Sequence, residues 1–107
     1  MKKTLFLCSR NKLRSPTAKA IFSDIKDWEA YSAGMSKDAD IPVSVEDIEW
    51  ADYIFVMEKS HKRKPQNKFG HAIKGQLVIC LDIPDNFVYM DEKLIDILQA
   101  KVPKLVH

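Results

Sequence analysis

Four short apolar runs, at residues 4–7, 30–33, 53–57 and 77–81, divide this chain, and helix-like or turn-rich stretches separate them. Each run is long enough for a strand and too short for a helix, and apolar runs without polar alternation suit strands covered on both faces. The stretches between them supply the helices. From 16 to 28, Ala18, Ile21, Phe22, Ile25 and Trp28 recur at helical spacing. Pro16 sits in the first turn of that segment, where its missing N–H costs nothing. From 44 to 51, Val45, Ile48 and Ala51 form a narrow apolar stripe behind Ser44, which with Asp47 resembles a capping box. The basic stretch 59–68 predicts a helix bent or split at Pro65. Residues 82–90 read as a loop, and Asp91 caps a last helix carrying Leu94, Ile95, Ile97, Leu98 and Val102. Such alternation predicts an α/β fold: a parallel sheet with helices on both faces, right-handed crossovers, and ligands bound beyond the carboxyl ends of the strands. Three segments follow strand ends, 8–15, 58–61 and 82–90, and chemistry is expected there.

A chain of 107 residues supports a single domain, 1–107, with one core. A net charge of +2 does not point to nucleic acid, and the basic residues Lys59, His61, Lys62, Arg63, Lys64, Lys68 and Lys74 lack the interleaved aromatics of a single-strand binder; they read as a solvated helix face. No run is long enough to cross a bilayer, and the apolar stretch after Met1-Lys2-Lys3 is too short for a leader, so the expectation is a cytoplasmic protein that engages no membrane. In that reducing compartment Cys8 and Cys80 are expected as free thiols, Cys80 as a small buried strand residue. His61 and His71 stand ten residues apart without cysteine or carboxylate partners, so no metal site is expected.

The segment Cys8-Ser9-Arg10-Asn11-Lys12-Leu13-Arg14-Ser15 joins the first strand to the first helix. Five residues between a cysteine and an arginine can curl into a nest of inward N–H groups that binds a tetrahedral anion, at the positive end of a helix dipole. There a cysteine would lose its proton readily, the guanidinium of Arg14 would fork onto two phosphate oxygens, and Ser15 would donate to the sulfur. The same spacing also fits a buried strand-end cysteine beside a solvated basic turn.

The run from Leu7 to Ala18, Leu-Cys-Ser-Arg-Asn-Lys-Leu-Arg-Ser-Pro-Thr-Ala, resembles the active-site signature of low molecular weight protein tyrosine phosphatases. Tyr31-Ser32-Ala33-Gly34 resembles the family's second-strand motif, the stretch 51–58 its third-strand motif, and Ile83-Pro84-Asp85-Asn86-Phe87 the loop that carries the general acid. The resemblance implies a three-layer sandwich around a four-stranded parallel sheet, order 2-1-3-4, and a two-step reaction that needs no cofactor. Carried over by motif, Cys8 is the nucleophile, residues 9–15 bind phosphate, Arg14 stabilises the transition state and Asp85 is general acid and then base. Asn11 would hold the phosphate loop open in a left-handed conformation, paired with Ser32, and Ser15 would support the sulfur. Asp82, three residues before Asp85, is the rival acid. The chain departs from the family pattern in a shorter stretch between Gly34 and Trp50, in Arg10 where glycine is usual, in Leu13 where many members carry a second cysteine, and in Asn86 where proline is usual.

Lys12 reads as solvated; Arg10 either strengthens the pull on dianions or points away. Phe87 and Tyr89 either form a wall on which a phenyl ring stacks or cover the core, Tyr89 being the better candidate for the wall. The expected activity is hydrolysis of a phosphomonoester, phosphotyrosine in protein or a small aryl phosphate, with inorganic phosphate as product. The rivals are a thiol-dependent arsenate reductase, for which Cys80 is a poorly placed second thiol, and a non-catalytic phosphopeptide-binding module.

Overall fold

A computed structural model of the protein describes residues 2–8, 14–36, 39, 41–57, 70–83 and 87–106. Four strands, β1 (Lys2–Cys8), β2 (Trp28–Gly34), β3 (Tyr53–Val56) and β4 (Leu77–Cys80), form one sheet in the order β2-β1-β3-β4. All three pairings are parallel, with Cys8 opposite Gly34 and Leu7 opposite Val56. Helices α1 (Arg14–Phe22), α2 (Val45–Trp50) and α3 (Glu92–Leu105), with a short 3₁₀ turn at Gly70–Ala72, complete the described elements. The sandwich and its strand order are those implied by the motifs.

Side chains of a strand alternate between faces, and β1 shows the division. Leu5 and Leu7 face a layer containing Ile48 of α2, Ala72, Ile54 and Val56. Phe6 and Cys8 face the opposite layer, with Ala18 and Phe22 of α1 and Leu94, Leu98 and Val102 of α3. Within that layer Phe6 stacks between Phe55 and Phe22, at centroid distances of 5.2 and 5.5 Å.

The local helix signals act as read. Ser44 Oγ accepts from Asp47 N and Asp47 Oδ2 from Ser44 N, the reciprocal bonds of a capping box. Asp91 caps α3 by accepting from Lys93 N at 2.9 Å. The first helix is shorter than its apolar spacing predicts: it stops at Phe22, not at position 28. Residues 23–27 turn, with Asp27 in a left-handed conformation (φ 68°), and Trp28 opens β2. Trp28 still reaches Phe22, 5.5 Å between centroids, because β2 runs back beside α1. A side chain returning on the next strand thus imitates a continued helical stripe. Cys80 is half-buried, not fully enclosed, because β4 is an edge strand with no further strand beside it among the described residues. The stretch 59–68, expected as a helix, lies outside the described residues.

Candidate active site

The strand order reverses direction at β1, whose neighbours are β2 on one side and β3 on the other. Ligands of open parallel sheets bind at the carboxyl end of the strands at such a switch point. Cys8 occupies that end of β1. It is 4% exposed, a free thiol, and packs in the layer shared with Ala18 and Phe22 of α1. After five intervening residues α1 begins at Arg14, so the positive end of its dipole follows the cysteine closely in the chain.

Ser15 is fully buried in the first turn of α1. Its Oγ finds no hydrogen-bond partner among the described residues, Cys8 included. Burying a hydroxyl without a partner costs stability, and such residues concentrate where function requires them. Ser32 is 3% exposed near the end of β2, opposite Phe6 and two rows from the Cys8–Gly34 pair.

The 82–90 loop is tied to α1. Met90 N donates to Oγ1 of the buried Thr17 at 2.9 Å, which anchors the far end of the loop to the helix that follows Cys8 in the chain. Sequence reasoning passed over Thr17; the signal was its place within the signature-like run, directly after Pro16. Tyr89 is 53% exposed and, with Pro16, Lys19, Ser32 and Ile41, lines a cleft of about 440 Å³. Phe87 instead packs against the α1–α3 core layer. Of the two aromatics weighed as a wall, only Tyr89 lines this cleft. Asp82 is exposed in a left-handed conformation (φ 55°) and lines a groove with Lys101 and Lys104 of α3. Ser9, Arg10, Asn11, Lys12, Leu13 and Asp85 lie outside the described residues, as does the side chain of Arg14. Among the described residues no three metal-ligating side chains cluster, and no helix is long and apolar enough to cross a membrane.

A buried cysteine at the switch point of a β2-β1-β3-β4 parallel sheet, followed by a helix start, defines the fold of the low molecular weight phosphatases. Solved structures of that fold match the chain over almost its full length. YwlE arginine phosphatase from Geobacillus stearothermophilus superposes with a TM-score of 0.78 at 21% identity, covering 98% of this chain and 93% of that one. SP-PTP, a low molecular weight protein tyrosine phosphatase from Streptococcus pyogenes, gives 0.76 at 14% identity, covering 100% and 95%. The tyrosine phosphatase Wzb from Escherichia coli K30, solved with phosphate, gives 0.75 at 17% identity, covering 97% and 95%. No family model and no curated protein matches the sequence.

Proposed function

We propose that this protein is a cysteine-dependent phosphomonoester hydrolase acting on phosphotyrosine in proteins. The observation that carries the reading is the position of Cys8, buried at the carboxyl end of β1 where the sheet order reverses and separated from α1 by five residues. In this mechanism the Cys8 thiolate attacks phosphorus and the bond to the tyrosyl oxygen breaks. Asp85 delivers its proton to that leaving oxygen. Arg14 and the N–H groups of residues 9–15 hold the three equatorial oxygens as charge spreads over them. Asp85 then takes a proton from water, the water oxygen displaces sulfur from phosphorus, and inorganic phosphate leaves with the thiolate restored. Asn11, bonded to Ser32, keeps the loop in shape, and Tyr89 supplies the wall for the phenyl ring. The groove that Asp82 shares with Lys101 and Lys104 supports Asp85 as the acid. An Asp85→Asn enzyme should therefore lose more activity than Asp82→Asn on substrates with poor leaving groups.

The test is hydrolysis of p-nitrophenyl phosphate and of phosphotyrosine and phosphoarginine peptides in the presence of a chelator. Turnover of the aryl phosphate and the phosphotyrosine peptide, abolished in Cys8→Ser and blocked by vanadate, is expected. Turnover confined to phosphoarginine would move the substrate, not the chemistry. Equal turnover by Cys8→Ser would overturn the mechanism, and tight phosphopeptide binding without turnover would make the protein a binding module.

A further inference from the structure

Strand β2 lies at the edge of the sheet. Gly34, at its end, turns both backbone groups outward: its N–H donates to Ile41 O at 2.7 Å, and its carbonyl accepts from Val43 N at 2.8 Å. The odd-numbered residues face β1, since Glu29 O accepts from Thr4 Oγ1 and Met35 N donates to Cys8 O. Backbone groups alternate along a strand, so Ser32 and Ala30 also turn theirs outward; Ser32 is buried like Gly34, so the accessible part of this edge is the stretch up to Tyr31.

Beside this edge, between the end of α1 and the face of α2, lies a cleft of about 570 Å³. Trp28, Tyr31 and Trp50 wall it, and Glu29, Glu46 and Asp47 bring carboxylates to it. Among the described residues no basic side chain lines it. Asp47 serves the α2 cap. Glu29 and Glu46 are exposed and form no ion pair among the described residues. The Tyr31 ring already holds one cation at the rim, with Lys19 Nζ 5.1 Å from its centroid. Aromatic faces and carboxylates together favour a guanidinium or ammonium over an apolar side chain. Ser23 lines both this cleft and the one holding Ser32 and Tyr89, so the two adjoin at that residue.

We infer that the substrate protein is held beyond the phosphate site by a lysine or arginine seated in this aromatic, carboxylate-bearing cleft at the β2 edge; the inference rests on the phosphatase reading and adds a substrate class to it. The spacing follows from the register. Cys8 pairs with Gly34, and the cleft stands at Glu29 to Tyr31, three to five residues further down β2. At about 3.3 Å per residue that is roughly 10–16 Å, which an extended peptide crosses in about three to five residues.

The experiment walks a single arginine through phosphotyrosine peptides that are otherwise alanine-rich and measures kcat/KM. An arginine three to five positions from the phosphotyrosine, on one side, should raise kcat/KM about three- to tenfold through KM, since it binds far from the reacting atoms. The ratio of arginine peptide to alanine peptide, taken within each protein, should fall to about one in E29Q/E46Q. A flat scan in the wild type, or a preference that persists in E29Q/E46Q, would overturn the inference. Trp28 and Trp50 are the chain's two tryptophans, so their emission reports the cleft independently of turnover. An unphosphorylated arginine peptide should shift that emission in Cys8→Ser protein and not when E29Q/E46Q is added. No shift would likewise sink the cleft. Loss of the phosphatase reading would show separately, as absent hydrolysis of p-nitrophenyl phosphate by the wild type while the emission shift remains.

Discussion

Replacing Ser15 by alanine should make the protein more stable and less active. Ser15 Oγ is fully buried and has no hydrogen-bond partner among the described residues. A buried hydroxyl in that position costs about 1–3 kcal/mol relative to a satisfied or absent one. Ser15→Ala removes the oxygen and leaves a void of a single atom, which returns at most ~1 kcal/mol of that gain. The net expectation is a stabilisation of about 1 kcal/mol, or roughly 4 °C in Tm for a domain of this size. The activity should move the other way. If the hydroxyl donates to sulfur as the thiolate departs from phosphorus, it contributes about 1.5–3 kcal/mol there. That corresponds to a kcat about ten- to a hundredfold lower. Because the bond helps sulfur leave in the second step, the initial burst of released phenol should survive while the steady rate falls. Urea denaturation and stopped-flow assays on the two proteins read both quantities. A Ser15→Ala protein destabilised by about 1 kcal/mol or more, or one with unchanged kcat, would refute the reasoning.

Thr17→Val should cost about 1–3 kcal/mol, because Met90 N loses its acceptor, and should raise KM by loosening the 82–90 loop; paired urea and kinetic measurements check it. Ser44→Ala removes the cap of α2 and should cost about 1 kcal/mol in urea denaturation with no change in kcat, since α2 contributes nothing to the Cys8 layer. Phe6→Ala empties the centre of the aromatic stack between Phe22 and Phe55 and should cost about 3–5 kcal/mol, seen as a large drop in the denaturation midpoint.

What the sequence determined by itself was whatever depends on neighbours along the chain. The buried strands showed as unbroken apolar runs because a parallel strand hides both faces. The α2 cap showed because Ser44 and Asp47 bond across three residues. Cys8 and the run up to Ala18 showed because groups that surround one anion from a single strand-to-helix turn lie within one short segment. Tertiary structure decided where side chains from distant segments meet. It ended α1 at Phe22 and brought Trp28 back onto it from a strand. It tied Met90 to Thr17 across 73 residues, and it left Ser15 buried without a partner among the described residues. It gathered Trp28, Tyr31 and Trp50 around the edge of β2. Such meetings depend on the order and twist of the strands, which close contacts between residues far apart in the chain, and no local periodicity records them.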